Sequence, residues 1–185
     1  MFEKTIAYFC APALAGIKPA NIVSCYKDKI PYIHKKIANL NAQLNKKDIY
    51  LVVLCECDKR ALVMVYRRKL LLKYLETSEI SNLLEEYGYK KCSDEEGYIN
   101  RLKSRLEFDI FPHEIGAFLG YPAHDIYGFI NHKNTGCLLT GEWKVYKDAE
   151  SAKKLFARYG ACRKAVMRRI EGGSSLEQIF CAAHS

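Results

Sequence analysis

The chain has 185 residues, of which 49% are hydrophobic and 27% charged, and it carries a net charge of +8. That length is one ordinary domain, able to bury roughly two-thirds of its unfolded surface without disulfide or metal staples. No run of about 18 apolar residues occurs, which excludes a membrane-spanning helix, and the expected compartment is the cytoplasm.

The opening stretch, "MFEKTIAYFCAPALAGI", is apolar. Glu3 near its start and Pro12 inside its apolar run do not suit a signal peptide. Eight cysteines stand at 10, 25, 55, 57, 92, 137, 162 and 181, with no Cys-x-x-Cys. They fall inside periodic apolar segments, the pattern of buried free thiols in a reducing cytosol rather than of a secreted disulfide framework. Only Cys55 and Cys57 are close in sequence, and their spacing suits a strand better than a zinc site. The sequence pI near 9.0 permits an anionic partner. Because the basic residues come as scattered pairs, with no basic tail and no RNA-reading aromatic motif, nucleic acid is not favoured and an acidic protein partner stays open.

Taken in order, residues 1–20 are broken by Pro12, Gly16 and Pro19 and predict two short helical pieces. Ile30, Ile33, Ile37, Leu40 and Leu44 then recur at helical spacing, with Pro31 in the first turn. "DIYLVVLCECDKRALVMVYRR" changes to a period of two and predicts a β-hairpin over 49–66, turning at Asp58-Lys59-Arg60. Alternation there puts Cys55 and Cys57 on the face of Leu51 and Val53, with Glu56 on the other. Helices follow from Arg68 to Leu75 and from Ser78 to before Gly88. A third, opened by the capping pattern Ser93-Asp94-Glu95-Glu96, runs to about Leu106. Residues 137–146 predict a further strand near the hairpin. Asp148 caps a long helix whose stripe is Leu155, Tyr159, Cys162, Val166 and Ile170, and which stops at Gly172-Gly173. "SSLE" at 174–177 starts a last short helix. The predicted fold is a mostly helical α+β single domain, 1–185, around a small antiparallel sheet.

The densest segment is "FPHEIGAFLGYPAHDIYGFINH", 111–132. Pro112 and Pro122 each suit the first position of a helix, with Gly120 closing the first. That placement sets His113 and Glu114 in a first turn, and Asp125 in the next. A carboxylate is ordinary there, whereas an imidazole is not: the helix dipole opposes its charge and keeps it neutral, fit to act as base, hydrogen-bond partner or metal ligand.

Three blocks carry a resemblance: "CAPALAGIKPANI" at 10–22, "FPHEIGAFLGYPAHDIYGFI" at 111–130 and "GEWKVYKDAESAKKLFARYGACR" at 141–163. Together they resemble a family of small cytosolic proteins from clostridia and other anaerobic Firmicutes, a domain of unknown function. The resemblance covers nearly the whole chain and implies no activity. Its motif positions are matched at Cys10, Pro12, Gly16, Lys18, Pro112, His113, Glu114, Gly116, Gly120, Tyr121, Pro122, Gly128, Phe129, Trp143, Lys144, Tyr146, Cys162 and Arg163. The hairpin tip "CECDKR" departs from the family's charged pattern, which turns attention away from Cys55 and Cys57.

Three functional readings follow. In the first, Cys10 is a thiolate nucleophile near a helix N-terminus, His113 its base and Glu114 the group orienting the imidazole, with Lys18, Tyr121, Trp143, Lys144 and Arg163 binding a small ligand. In the second, Cys10 and His113 hold haem iron or a soft metal, with Tyr121, Phe129 and Trp143 walling an aromatic pocket. In the third, the chain is a basic interaction module for an acidic protein, without an active site. No particular cofactor is implied, and whether the chain is an enzyme stays open.

Overall fold

The computed structural model describes residues 1–89, 94–108 and 111–182. Ser93, the expected helix cap, and Cys92 lie outside the described residues. The elements are α1 (Phe2–Leu14), β1 (Ala20–Tyr26), α2 (Ile33–Leu44), β2 (Ile49–Glu56), β3 (Arg60–Arg67), α3 (Arg68–Leu75), α4 (Ser78–Glu86), α5 (Glu95–Leu106), α6 (Ile115–Phe118), α7 (Ala123–His132), β4 (Leu139–Thr140), β5 (Lys144–Val145), α8 (Ala149–Glu171) and α9 (Leu176–Cys181). The fold is α+β and mostly helical around a small antiparallel sheet, as the periodicities predict.

The sheet has the order β1-β3-β2, all antiparallel. Strict alternation along β3 sends Ala61, Val63 and Val65 to one face and Leu62, Met64 and Tyr66 to the other. The first face buries α1, α2, α8 and α9 through residues such as Ile6, Leu14, Leu40, Leu44, Val166 and Leu176. The second buries α3 to α7 through Leu71, Leu83, Leu102, Phe118 and Ile126. A sheet covered on both sides explains why β2 and β3 read as near-continuous apolar runs.

Three local expectations are corrected, and one strand has no counterpart among them. Residues 2–14 form one helix with Pro12 inside it, not two pieces. Proline removes the bond its own N–H would make to the carbonyl of Tyr8; Arg163 Nε, from α8, donates to that carbonyl instead at 2.9 Å. The strand β1 carries no alternation signal in sequence and is held by its register against β3, Ala20 opposite Tyr66 through Tyr26 opposite Arg60. Residues 137–146 do not extend the main sheet but close on themselves as the small hairpin β4–β5. In β2 a bulge between Val53 and Cys55 shifts the register, so Cys55 stands opposite Leu62 and Glu56 opposite Ala61. The extra residue exchanges the two faces. Cys55 therefore leaves the face of Leu51 and Val53, while Glu56 joins it and meets Lys27 at 2.9 Å and His34 at 3.2 Å.

Several caps match their sequence signals. Gly88 and Gly120 follow the ends of α4 and α6 with φ of +76° and +71°. Asp94 accepts from Gly97 N, Asp148 accepts from Ser151 N, and Ser175 with Gln178 forms a full capping box. Helix α2 begins two residues later than Pro31 suggests, because Tyr32 takes a left-handed conformation at φ 56°.

Candidate functional site

The segment 111–132 and the hairpin β4–β5 enclose a cavity of about 360 Å³. The turn before α6 contributes Phe111 and His113, and α6 contributes Ile115 and Gly116. Tyr121 comes from the connection, Asp125, Ile126 and Phe129 from α7, and Trp143 and Lys144 from the hairpin. Apolar and aromatic side chains dominate the wall, the usual character of a small-molecule site.

Asp125 organises this wall. It is buried in the first turn of α7, and its carboxylate accepts from Trp143 Nε1 at 2.7 Å, Tyr146 N at 2.7 Å and Lys147 N at 3.2 Å. Those bonds hold the hairpin on α7. Trp143 stacks on Tyr121 at 4.7 Å and meets the edge of Phe156 at 4.6 Å. Close packing leaves no room beyond glycine at one point and little at a second. A Cβ on Gly128 would lie 2.4 Å from Cγ of Tyr146, and one on Gly116 would lie 3.0 Å from Cδ2 of Tyr121. Both glycines let ring faces reach backbone.

His113 stands at the cavity mouth, exposed, with its ring edge-on to Phe129 at 5.1 Å. It precedes α6, a helix of only four residues, in a turn where Ile115 N donates to Pro112 O. The helix expected from Pro112 begins only at Ile115, which leaves His113 outside it, and so short a helix has too little aligned dipole to support the neutral-imidazole argument. Lys144 lines the cavity and donates from Nζ to Asn134 Oδ1.

The other residues singled out in the sequence lie elsewhere. Cys10 is fully buried in the core under the first sheet face, and burial pushes its thiol well above the ordinary value of 9.0. It does not line the cavity that holds His113, so the structure does not bring the proposed thiol and imidazole together. Glu114 turns inward, fully buried: its Oε1 pairs with Arg105 Nε at 2.8 Å and accepts from Tyr89 OH at 3.4 Å. Arg163 bridges Tyr8 O and Glu142, the latter at 3.1 Å. Lys18 is buried behind the Tyr121–Trp143 stack, its Nζ 5.1 Å from the ring centre of Tyr121 and 5.6 Å from that of Tyr159. Burial lowers its ammonium from 10.5 to about 8, against the pull of Glu142. Among the described residues no group of three or more His, Cys, Asp or Glu is placed to hold a metal ion, and the seven cysteines among them are free.

Sequence reasoning missed Asp125 as the organiser. Its signals were an acid in a first turn and a single tryptophan in the chain, but only the folded-back hairpin joins them.

The sequence profile of one protein family, described as "Protein of unknown function (DUF3793)", matches residues 6–180. No curated protein matches the chain, and no solved structure does. The chain belongs to the DUF3793 family.

Proposed function

We propose that this DUF3793 protein binds a small planar aromatic molecule in the cavity between α6, α7 and the β4–β5 hairpin, with an anionic group of that molecule set at the mouth beside Lys144 and His113. The carrying observation is the cavity itself: about 360 Å³, walled by Tyr121, Phe129, Trp143 and Ile126. Aromatic walls reward a flat ring through burial and offset stacking. The carboxylate in the wall, Asp125, already accepts three hydrogen bonds, so it supports the wall rather than recruiting a cation. The polar side chains beside the apolar wall, Lys144 and His113, are basic, and the Lys144 ammonium keeps donors beyond the one it gives to Asn134, which selects an anionic substituent.

Among the described residues the lining carries no thiol, which favours binding over a cysteine nucleophile. At about 0.3 kcal/mol per heavy atom, a ligand of roughly twenty atoms gains about 6 kcal/mol, a dissociation constant of tens of micromolar.

Trp143 is the single tryptophan of the chain and lines the cavity, so its emission reports occupancy directly. The probe is 8-anilinonaphthalene-1-sulfonate, backed by a panel of aromatic carboxylates. The expected result is saturable one-to-one quenching of Trp143, weakened about tenfold, or about 1.4 kcal/mol, by Phe129→Ala and by Lys144→Ala. Absence of saturable quenching across the panel, or quenching indifferent to both substitutions, would overturn the reading.

A further inference from the structure

We propose that the groove between α1 and α8, remote in sequence from the cavity segment, docks an acidic amphipathic helix of a partner protein. The groove encloses about 490 Å³ and is lined by Met1, Lys4, Thr5, Tyr8, Phe9 and Met167.

Two independent observations meet there. The first is apolar exposure. Tyr8 and Phe9 are consecutive on α1 and remain 50% and 49% exposed, packed edge-to-face against each other at 4.9 Å. The opposite side of the same helix is buried completely at Ile6, Ala7, Cys10 and Ala11. A pair of exposed neighbouring aromatics beside a methionine-lined groove is the anchor arrangement of a protein-binding surface.

The second is charge. The solvent face of α8 presents Lys153, Lys154, Arg158, Lys164, Arg168 and Arg169, all exposed, and no Asp or Glu occurs between 151 and 170. Only Lys153 is paired along this face among the described residues, with Glu150 at 2.7 Å. Lys4 stands on the opposite wall, exposed, and Glu171 lies at the end of α8. The groove is lined by apolar side chains with Lys4 on the α1 side, and on α8 the exposed Lys164 and Arg168 lie within a turn of Met167, the residue that lines it.

That pattern specifies its complement. Helices α1 and α8 run antiparallel, since Cys162 Sγ reaches Ala11 O, Arg163 reaches Tyr8 O and Met167 faces Met1 and Thr5. A third helix seats in such a groove by packing its ridges between theirs, with apolar residues spaced at three and four. The described residues lining the groove come from Met1, α1 and α8, so an extended peptide finds no strand edge among them. The groove floor demands leucine-like anchors, and the rims demand carboxylates on either side of them. A second copy of this chain would bring like charge to like charge. The Tyr8 and Phe9 rings lie at 83° to each other and offer no pair of parallel faces for stacked bases.

The test is fluorescence anisotropy with a labelled three-heptad peptide of glutamate and leucine, its leucines on one helical face. A peptide of identical composition in scrambled order, a single-stranded RNA, and phosphatidylserine vesicles serve as competitors. The patterned peptide is expected to bind saturably and at least about tenfold tighter than its scramble. Tyr8→Ser with Phe9→Ser, and separately Lys164→Glu with Arg168→Glu, are each expected to weaken it by about tenfold or more. All four side chains are solvent-facing, and the charge-reversed variant decides the matter if the aromatic variant fails to fold. No saturable binding, equal binding of the scramble, or preferential binding of RNA or vesicles would each overturn the proposal.

Discussion

Lys18 shows how a single side chain can set the pH response of the fold. Its ammonium is buried between two phenol rings, with a folded value lowered from 10.5 to about 8 by loss of water. Between those two values the unfolded chain holds a proton that the folded chain does not, so stability rises as pH increases from about 8 towards 10.5. Two and a half units correspond to about 3 kcal/mol, and cation–π attraction to two rings offsets about 1–2 kcal/mol of it. Tyr121 and Tyr159 are pushed up to about 12 by burial, so their own contribution is lost only as pH climbs beyond about 10. Lys18→Met is therefore expected to stabilise the protein at pH 7, by about 1–2 kcal/mol, with the advantage shrinking by pH 10. Urea titrations at the two values check this, and a constant difference between variant and parent would contradict it.

The cysteines give a second residue-scale expectation. Cys57 is exposed at the hairpin tip, and the backbone N–H groups of Lys59 and Arg60 hold its thiol below the ordinary range. Cys10 is buried and shifted the other way. Limited alkylation of the native protein should label Cys57 first and Cys10 last; early labelling of Cys10 in the intact fold would revive it as a reactive thiol.

Among the elements, the β4–β5 hairpin is what makes the cavity, and it is held by the Asp125 hydrogen bonds and by the packing of Trp143 and Val145 rather than by the main sheet. Asp125→Asn leaves an amide donor facing donors that the carboxylate had satisfied. The expected cost is about 2–3 kcal/mol, with Trp143 emission shifting towards that of a solvated indole. His113→Ala, at the exposed mouth, should cost under about 0.5 kcal/mol. Equal losses from the two substitutions would mean that the hairpin is not pinned as described. Gly128→Ala makes the same point by sterics. Alanine normally returns about 1 kcal/mol inside a helix, but a Cβ at 2.4 Å from Tyr146 forces the hairpin away and reverses the sign.

Elements also separate what was legible in the sequence from what was not. The hairpin 49–66, the helices after it and their caps were readable, because alternation, helical spacing and capping residues are local signals. The bulge at Val53/Cys55 was not, since one extra residue leaves the composition of the strand unchanged while exchanging its faces. Pro12 inside α1 was misread because the donor replacing its missing bond, Arg163, lies 151 positions downstream. Strand β1 escaped notice because its Asn and Ser interrupt the β-pattern and its partner is the distant β3. The aromatic walls at Tyr121, Phe129 and Trp143 were anticipated, but the separation of Cys10 from His113 is tertiary and has no local sign.

For the whole molecule, the sheet divides two cores: α1, α2, α8 and α9 on one side, α3 to α7 on the other. The thiol Cys10 belongs to the first, while the cavity is built on the second with the hairpin as its outer wall. The basic groove between α1 and α8 and the aromatic cavity are thus distinct surfaces, and a single probe can tell them apart. Protein labelled with 5-fluorotryptophan carries one ¹⁹F nucleus, at Trp143. Titration with 8-anilinonaphthalene-1-sulfonate should move that resonance saturably, with the movement abolished by Phe129→Ala and retained in the Tyr8→Ser/Phe9→Ser variant. A resonance that stays fixed while the dye binds, or that responds only when Tyr8 and Phe9 are intact, would contradict ligand binding in the aromatic cavity.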